Sequence, residues 1–127
     1  MKSRKSVGRY VDGFVLSVPT RKLAAYRRMA ARAGKIWREH GALEYTECAG
    51  EDLKVKMGVS FTKMAKAKRG ETVMFSWIVY KSRADRDRVN ARVMEDPRIV
   101  KMITSADVIF DYKRMAYGGF SILVDIR

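Results

Sequence analysis

One histidine serves the whole chain, so any imidazole chemistry must run through His40. It lies between Trp37 and Tyr45, a grouping that would set a titratable ring beside two aromatic side chains. A histidine there is a candidate general base or orienting group, because its charge changes near neutral pH and burial tunes it. The simpler alternative is a packed or hydrogen-bonded histidine near a helix end. Trp37, His40, Tyr45, Trp77 and Tyr117 are candidates for lining a small apolar pocket with a few polar tips. The competing reading assigns these aromatics to core and interface, where they carry most of a small domain's burial. Glu44 and Glu47 sit three positions apart on one strand, so they face opposite sides and make no carboxylate pair.

Other chemistries find little footing. Cys48 is the single cysteine, without a disulfide partner, and reads as a small half-buried strand residue in a reducing compartment. One histidine, one cysteine and no clustered carboxylates give no expectation of a metal or other cofactor. No glycine-rich loop opens a helix in the manner of a phosphate-binding fold, and no Gly-x-Ser-x-Gly elbow occurs. Enzyme and binding protein are both left as alternatives.

The elements that would position these residues repeat. A strand through Arg9–Leu16 runs into a helix after Thr20, and a strand through Thr72–Tyr80 runs into a helix after Ser82. On the first helix, Leu23, Tyr26, Met29, Ala30, Ala33, Ile36, Trp37 and His40 share one arc, and Arg21, Arg27, Arg28, Arg32, Lys35 and Arg38 the other. Thr20 is the expected N-cap and Gly41 the expected stop. Ala42–Cys48 alternates as a second strand, and Leu53–Met57 reads as an edge strand guarded by lysines. Phe61–Lys68 reads as a short helical or irregular connection. Ser82 with Asp85 resembles a capping box, Pro97 closes the second helix, and Met115–Ile126 reads as the last strand. The order β-α-β-β-α-β predicts an α+β, ferredoxin-like antiparallel sheet with helices on one face. Phe14, Leu16, Phe75, Trp77, Phe120 and Ile122 are expected on the bare face. A face so apolar calls for a second copy, closing a dimeric α/β barrel.

Residues 1–9 read as a flexible basic leader ahead of one domain spanning residues 10–127. No apolar run is long enough to span a bilayer, and the start lacks a cleavage signal, so a cytoplasmic protein is expected. The net charge of +13 puts nucleic acid among the possible partners. The excess is concentrated at the front: residues 1–40 hold 11 Lys/Arg against 2 Asp/Glu. Arg28, Arg32 and Lys35 are the candidates for salt-sensitive, sequence-indifferent contact with phosphates. A solvated helix face is the favoured reading.

The runs Phe75–Arg83, Val89–Pro97 and Lys113–Phe120, with Tyr10–Phe14 and Trp37–Tyr45, make the chain similar to the bacterial YbaA-like family of unknown function. The resemblance covers Tyr10 to Asp125 and implies an α+β protein of the dimeric barrel type. It brings no established activity and no catalytic residues. By analogy of fold alone, a cofactor-independent oxygenase-like enzyme is the alternative to a homodimer that binds a small apolar or aromatic molecule.

Overall fold

In the computed structural model, which describes residues 8–105 and 109–127, four strands form one antiparallel sheet in the order β2-β3-β1-β4. They are β1 (Tyr10–Pro19), β2 (Glu44–Ala49), β3 (Glu71–Tyr80) and β4 (Ala116–Ser121). The helices are α1 (Leu23–Glu39), α2 (Phe61–Met64), α3 (Arg83–Glu95) and α4 (Pro97–Thr104). The α+β, ferredoxin-like arrangement expected from the element order is therefore the one observed.

β1 and β3 pair over their full length, from Tyr10 against Tyr80 to Pro19 against Glu71. That register decides which side chains meet the helices. Leu16, opposite Met74, packs with Tyr26, Ala30 and Phe110, and Tyr10, opposite Tyr80, packs with Ile36, Val89 and Val93. Alternation then places Val11, Val15, Phe75, Trp77 and Phe120 on the other side. Phe14 and Leu16, expected on the bare face, belong to the helix-covered side, because they fall in step with Ser76 and Met74. The bare face remains apolar: Phe75 is 44% and Phe120 62% exposed, and the Phe75 and Trp77 rings lie 5.5 Å apart.

Helix boundaries follow local chemistry. α1 is entered through a 3-10 turn, Thr20–Lys22, so Thr20 is not its cap; the Thr20 hydroxyl instead bonds that of Thr72 at 2.8 Å. Gly41 does stop it, at φ +122°, a conformation glycine adopts without strain. Ser82 Oγ accepts from the Asp85 amide at 3.0 Å, half of a capping box, while the Asp85 carboxylate turns to Arg88. Asp96 Oδ1 accepts from the Arg98 amide to start α4, with Pro97 as its first residue, where a missing N–H costs nothing.

Two expected strands differ. Leu53–Met57 forms no strand, since it finds no ladder partner, and Val55 and Met57 are exposed. β4 ends at Ser121 rather than Ile126, leaving Leu123, Val124 and Ile126 exposed beyond it. The segment between β2 and β3 is tied down at its far end. Arg114 makes a two-pronged bond to Glu71, 2.8 Å on each arm, and also donates to the Lys66 carbonyl. Through α2, this segment sets Phe61 5.8 Å from Phe75.

A polar network is buried between sheet and helices. Asp12, 5% exposed, accepts from Arg86 Nη1 at 2.9 Å, and the Asn90 amide reaches its other oxygen at 3.4 Å. Asn90 Oδ1 in turn accepts from Trp37 Nε1 and the Tyr80 hydroxyl. The Arg86 guanidinium rests 4.9 Å over the Tyr10 ring, a cation–π contact. Residues 1–7, most of the expected basic leader, lie outside the described residues.

Candidate functional site

β2 is an edge strand, and α1 crosses its helix-facing side closely enough for contact but not closely enough to seal it. An open cleft of about 1310 Å³ lies between them. Its floor is Tyr26, Ala30, Gly34, Tyr45, Glu47 and Met74. Gly34 permits the close approach: a Cβ there would stand 2.7 Å from the Tyr45 ring.

Glu47 is the polar centre of the cleft. The Tyr26 hydroxyl, from α1, donates to its Oε1 at 2.8 Å, and the Tyr45 hydroxyl, two residues back on β2, donates to Oε2 at 3.0 Å. Burial pushes the Glu47 carboxyl above the usual range, against hydrogen bonds from Tyr26, Tyr45 and Ser76 that favour its charged form. Both tyrosines are shifted far upward, first by burial and then by the neighbouring Glu47 charge, so they stay protonated donors. A carboxyl that is expensive to ionise, fixed by two donors and facing a cleft, can exchange a hydrogen bond or a proton with a polar atom entering beside it.

The candidates read from the sequence do not converge here. Of Trp37, His40, Tyr45, Trp77 and Tyr117, only Tyr45 lines the cleft. Trp37 tilts against Tyr45, ring centroids 6.0 Å apart, but aims its indole N–H away, at Asn90. His40 follows the last residue of α1 as its C-cap, and its Nε2 meets Asp96 Oδ2 at 2.9 Å, a link to α4. Helical periodicity puts it on the arc of Trp37, and its backbone is still helical, but its ring is held by Asp96 and does not line the cleft. Trp77 lies on the bare face of the sheet, and Tyr117, 72% exposed, stacks on Phe14 at the β4 edge. Arg28, Arg32 and Lys35 are exposed on α1, with Lys35 at the cleft's rim.

Spacing on β2 relates Glu47 only to Glu44, on the opposite face, and so gives it no partner. The available signal was alternation: Tyr45 and Glu47 share a face, and a carboxylate on the helix-facing side of an edge strand needs a partner. Which residue of α1 supplies it is a tertiary fact. Among the described residues, no group of three or more His, Cys, Asp or Glu side chains could hold a metal ion, and no helix is long and apolar enough to cross a membrane.

Comparison with known proteins agrees with this architecture. The chain is 44% identical over 117 residues to the uncharacterized protein YbaA of Escherichia coli strain K12, covering 92% of this chain and 98% of that one. The same identity and coverage hold for YbaA of Shigella flexneri. Among solved structures it resembles SnoaB, a cofactor-independent oxygenase from Streptomyces nogalater, with 14% identity, a TM-score of 0.59, and coverage of 93% and 96%. It also resembles a dimeric ferredoxin-like protein from an uncultured marine organism, with 8% identity, a TM-score of 0.59, and coverage of 93% and 98%. At such identities these two share the fold alone. The family model described as protein of unknown function (DUF1428) matches residues 9–112, and with the YbaA relatives it shows that the chain belongs to that family.

Proposed function

We propose that this chain is a cytoplasmic homodimeric protein that binds a small apolar or aromatic molecule in the cleft between α1 and β2, without a cofactor. The observation that carries the reading is the Glu47 carboxyl, half-buried, raised in pKa and held by Tyr26 and Tyr45 at the floor of a cleft whose charged side chains stand at the rim. An apolar pocket with a few fixed polar groups is the usual form of a small-molecule site. 2-Naphthol serves as a probe. Titrated into isotope-labelled protein, it is expected to move the amide resonances of Gly34, Tyr45 and Glu47. No movement at millimolar probe would remove the cleft as a binding site.

Pairing accounts for the opposite side of the sheet. Val11, Val15, Phe75, Trp77 and Phe120 form an apolar surface that two-fold pairing with a second copy would cover. The dimeric description of one fold neighbour supports this reading.

A second reading, a cofactor-independent oxygenase-like enzyme, draws on the same carboxyl. Glu47, rather than His40, is then the base that takes a proton from an acidic O–H or C–H of the substrate. Oxygen uptake with a phenolic substrate should then disappear in Glu47→Gln.

Glu47→Gln also tests the electrostatics independently of any ligand. A carboxyl whose folded pKa lies above its unfolded value binds its proton more tightly in the fold. Its contribution to stability is therefore present below the unfolded value, falls as pH rises through the interval up to the folded value, and is flat above it. Glu47→Gln lacks that loss. In urea unfolding at a series of pH values, the variant should gain on the parent as pH rises from about 4.3 toward neutrality. Parallel curves would show that the fold does not raise the Glu47 pKa.

A further inference from the structure

This inference rests on the cleft reading and concerns what kind of molecule the cleft takes. α1 brings Arg27, Lys35 and Arg38 to its lining. Arg38 is committed, because its Nη1 donates to the carbonyls of Ala42 at 3.0 Å and Leu43 at 2.7 Å. Arg27 and Lys35 are exposed, and neither makes a hydrogen bond or ion pair with any described residue. Arg28 and Arg32 lie beside them on the same helix and add to the positive field over the opening.

The lining also carries three carboxylates, but two are engaged elsewhere: Glu47 accepts from Tyr26 and Tyr45, and Glu39, on α1, accepts from Arg98 at 2.8 Å. Glu44, exposed at the start of β2, is the one that faces the cations across the opening. Between the cations the floor is apolar, supplied by Ala30, Ala31 and Gly34 of α1 with Met74 of β3. Arg27 and Lys35 are about 12 Å apart along the helix axis, at 1.5 Å per residue. That spacing brackets a body the size of one or two aromatic rings.

We propose that the cleft's ligand is an apolar carboxylic acid, its body on this floor and its carboxylate paired with Arg27 or Lys35. A neutral molecule would use the floor and Glu47 but leave both cations without a partner. Charge-assisted bonds from these cations are stronger than neutral ones.

The test compares 2-naphthoate with its neutral analogue 2-naphthamide, by calorimetric titration at low salt. The acid is expected to bind at least about tenfold more tightly, the lower end of what a hydrogen bond to a charged group contributes. The preference should shrink as salt rises. Arg27→Gln and Lys35→Gln, both at exposed positions, identify singly which cation is used, and together they should bring the acid down to the amide. Equal binding of acid and amide to the parent protein would overturn this inference and leave the cleft reading standing. So would a preference that survives the double substitution. Binding of neither probe would overturn both.

Discussion

Asp12→Ala is expected to cost the fold about 3–5 kcal/mol, because it removes one half of a buried ion pair and leaves the other half in place. The Arg86 guanidinium would lose the 2.9 Å bond to Asp12 while its side chain stays four-fifths covered. Its remaining ionic neighbour, Asp87, is 62% exposed and can offer it little in water. Asn90 would lose an acceptor for its amide while still receiving Trp37 and Tyr80 on its carbonyl. Urea unfolding followed by tryptophan fluorescence measures the loss. The paired replacement Asp12→Leu with Arg86→Met should recover much of it, since no charge is then left buried. A loss below 1 kcal/mol for Asp12→Ala would mean that water reaches Arg86 and that the network does not hold β1 to α3.

The second large effect concerns the bare face. On the proposed pairing, Trp77→Glu is expected to leave a single chain, lowering the mass found by light scattering from twice 14.6 kDa to the single-chain value. A buried tryptophan at the centre of an interface is commonly worth about 2 kcal/mol or more on truncation. Two-fold symmetry counts the change twice, so the dissociation constant should rise at least about a thousandfold. Arg32→Glu, on the outer side of α1, serves as the control and should leave the mass unchanged. If the unaltered protein runs as a monomer in dilute solution, the pairing reading falls without recourse to any variant.

Much of the fold could be read from residue order, because long periodic segments carry their own signal. α1 shows its apolar arc over several turns, and β3 shows an apolar run broken only by Ser76. The bare face was expected but misassigned on β1. Val11, Val15, Phe14 and Leu16 are all apolar, and hydrophobicity cannot say which alternate set turns toward the helices; the register with β3 can. Leu53–Met57 failed for the opposite reason: alternation is a property of the segment, but a strand also needs a neighbour with free backbone groups. The site was less legible. Tyr45 stands near His40 in sequence, yet the group its hydroxyl joins is Glu47, on its own strand, and with it Tyr26, brought over from α1. Nothing local to Tyr26 announces a carboxylate two elements away. His40 drew notice as the one imidazole, and its bond to Asp96 makes it a fastener between the end of α1 and the start of α4.

The ladder between β1 and β3 also governs how the protein comes into being. Every rung joins residues separated by the whole of α1, β2 and the segment that follows, and β4 can add only to a β1 already in place. Contacts of such long sequence separation form only after most of the loop entropy has been lost, which slows folding. On the ribosome, β1 must wait for synthesis to pass Tyr80 before it finds its central partner. Until then Phe14, Val15 and Leu16 are open to chaperones and to other nascent chains.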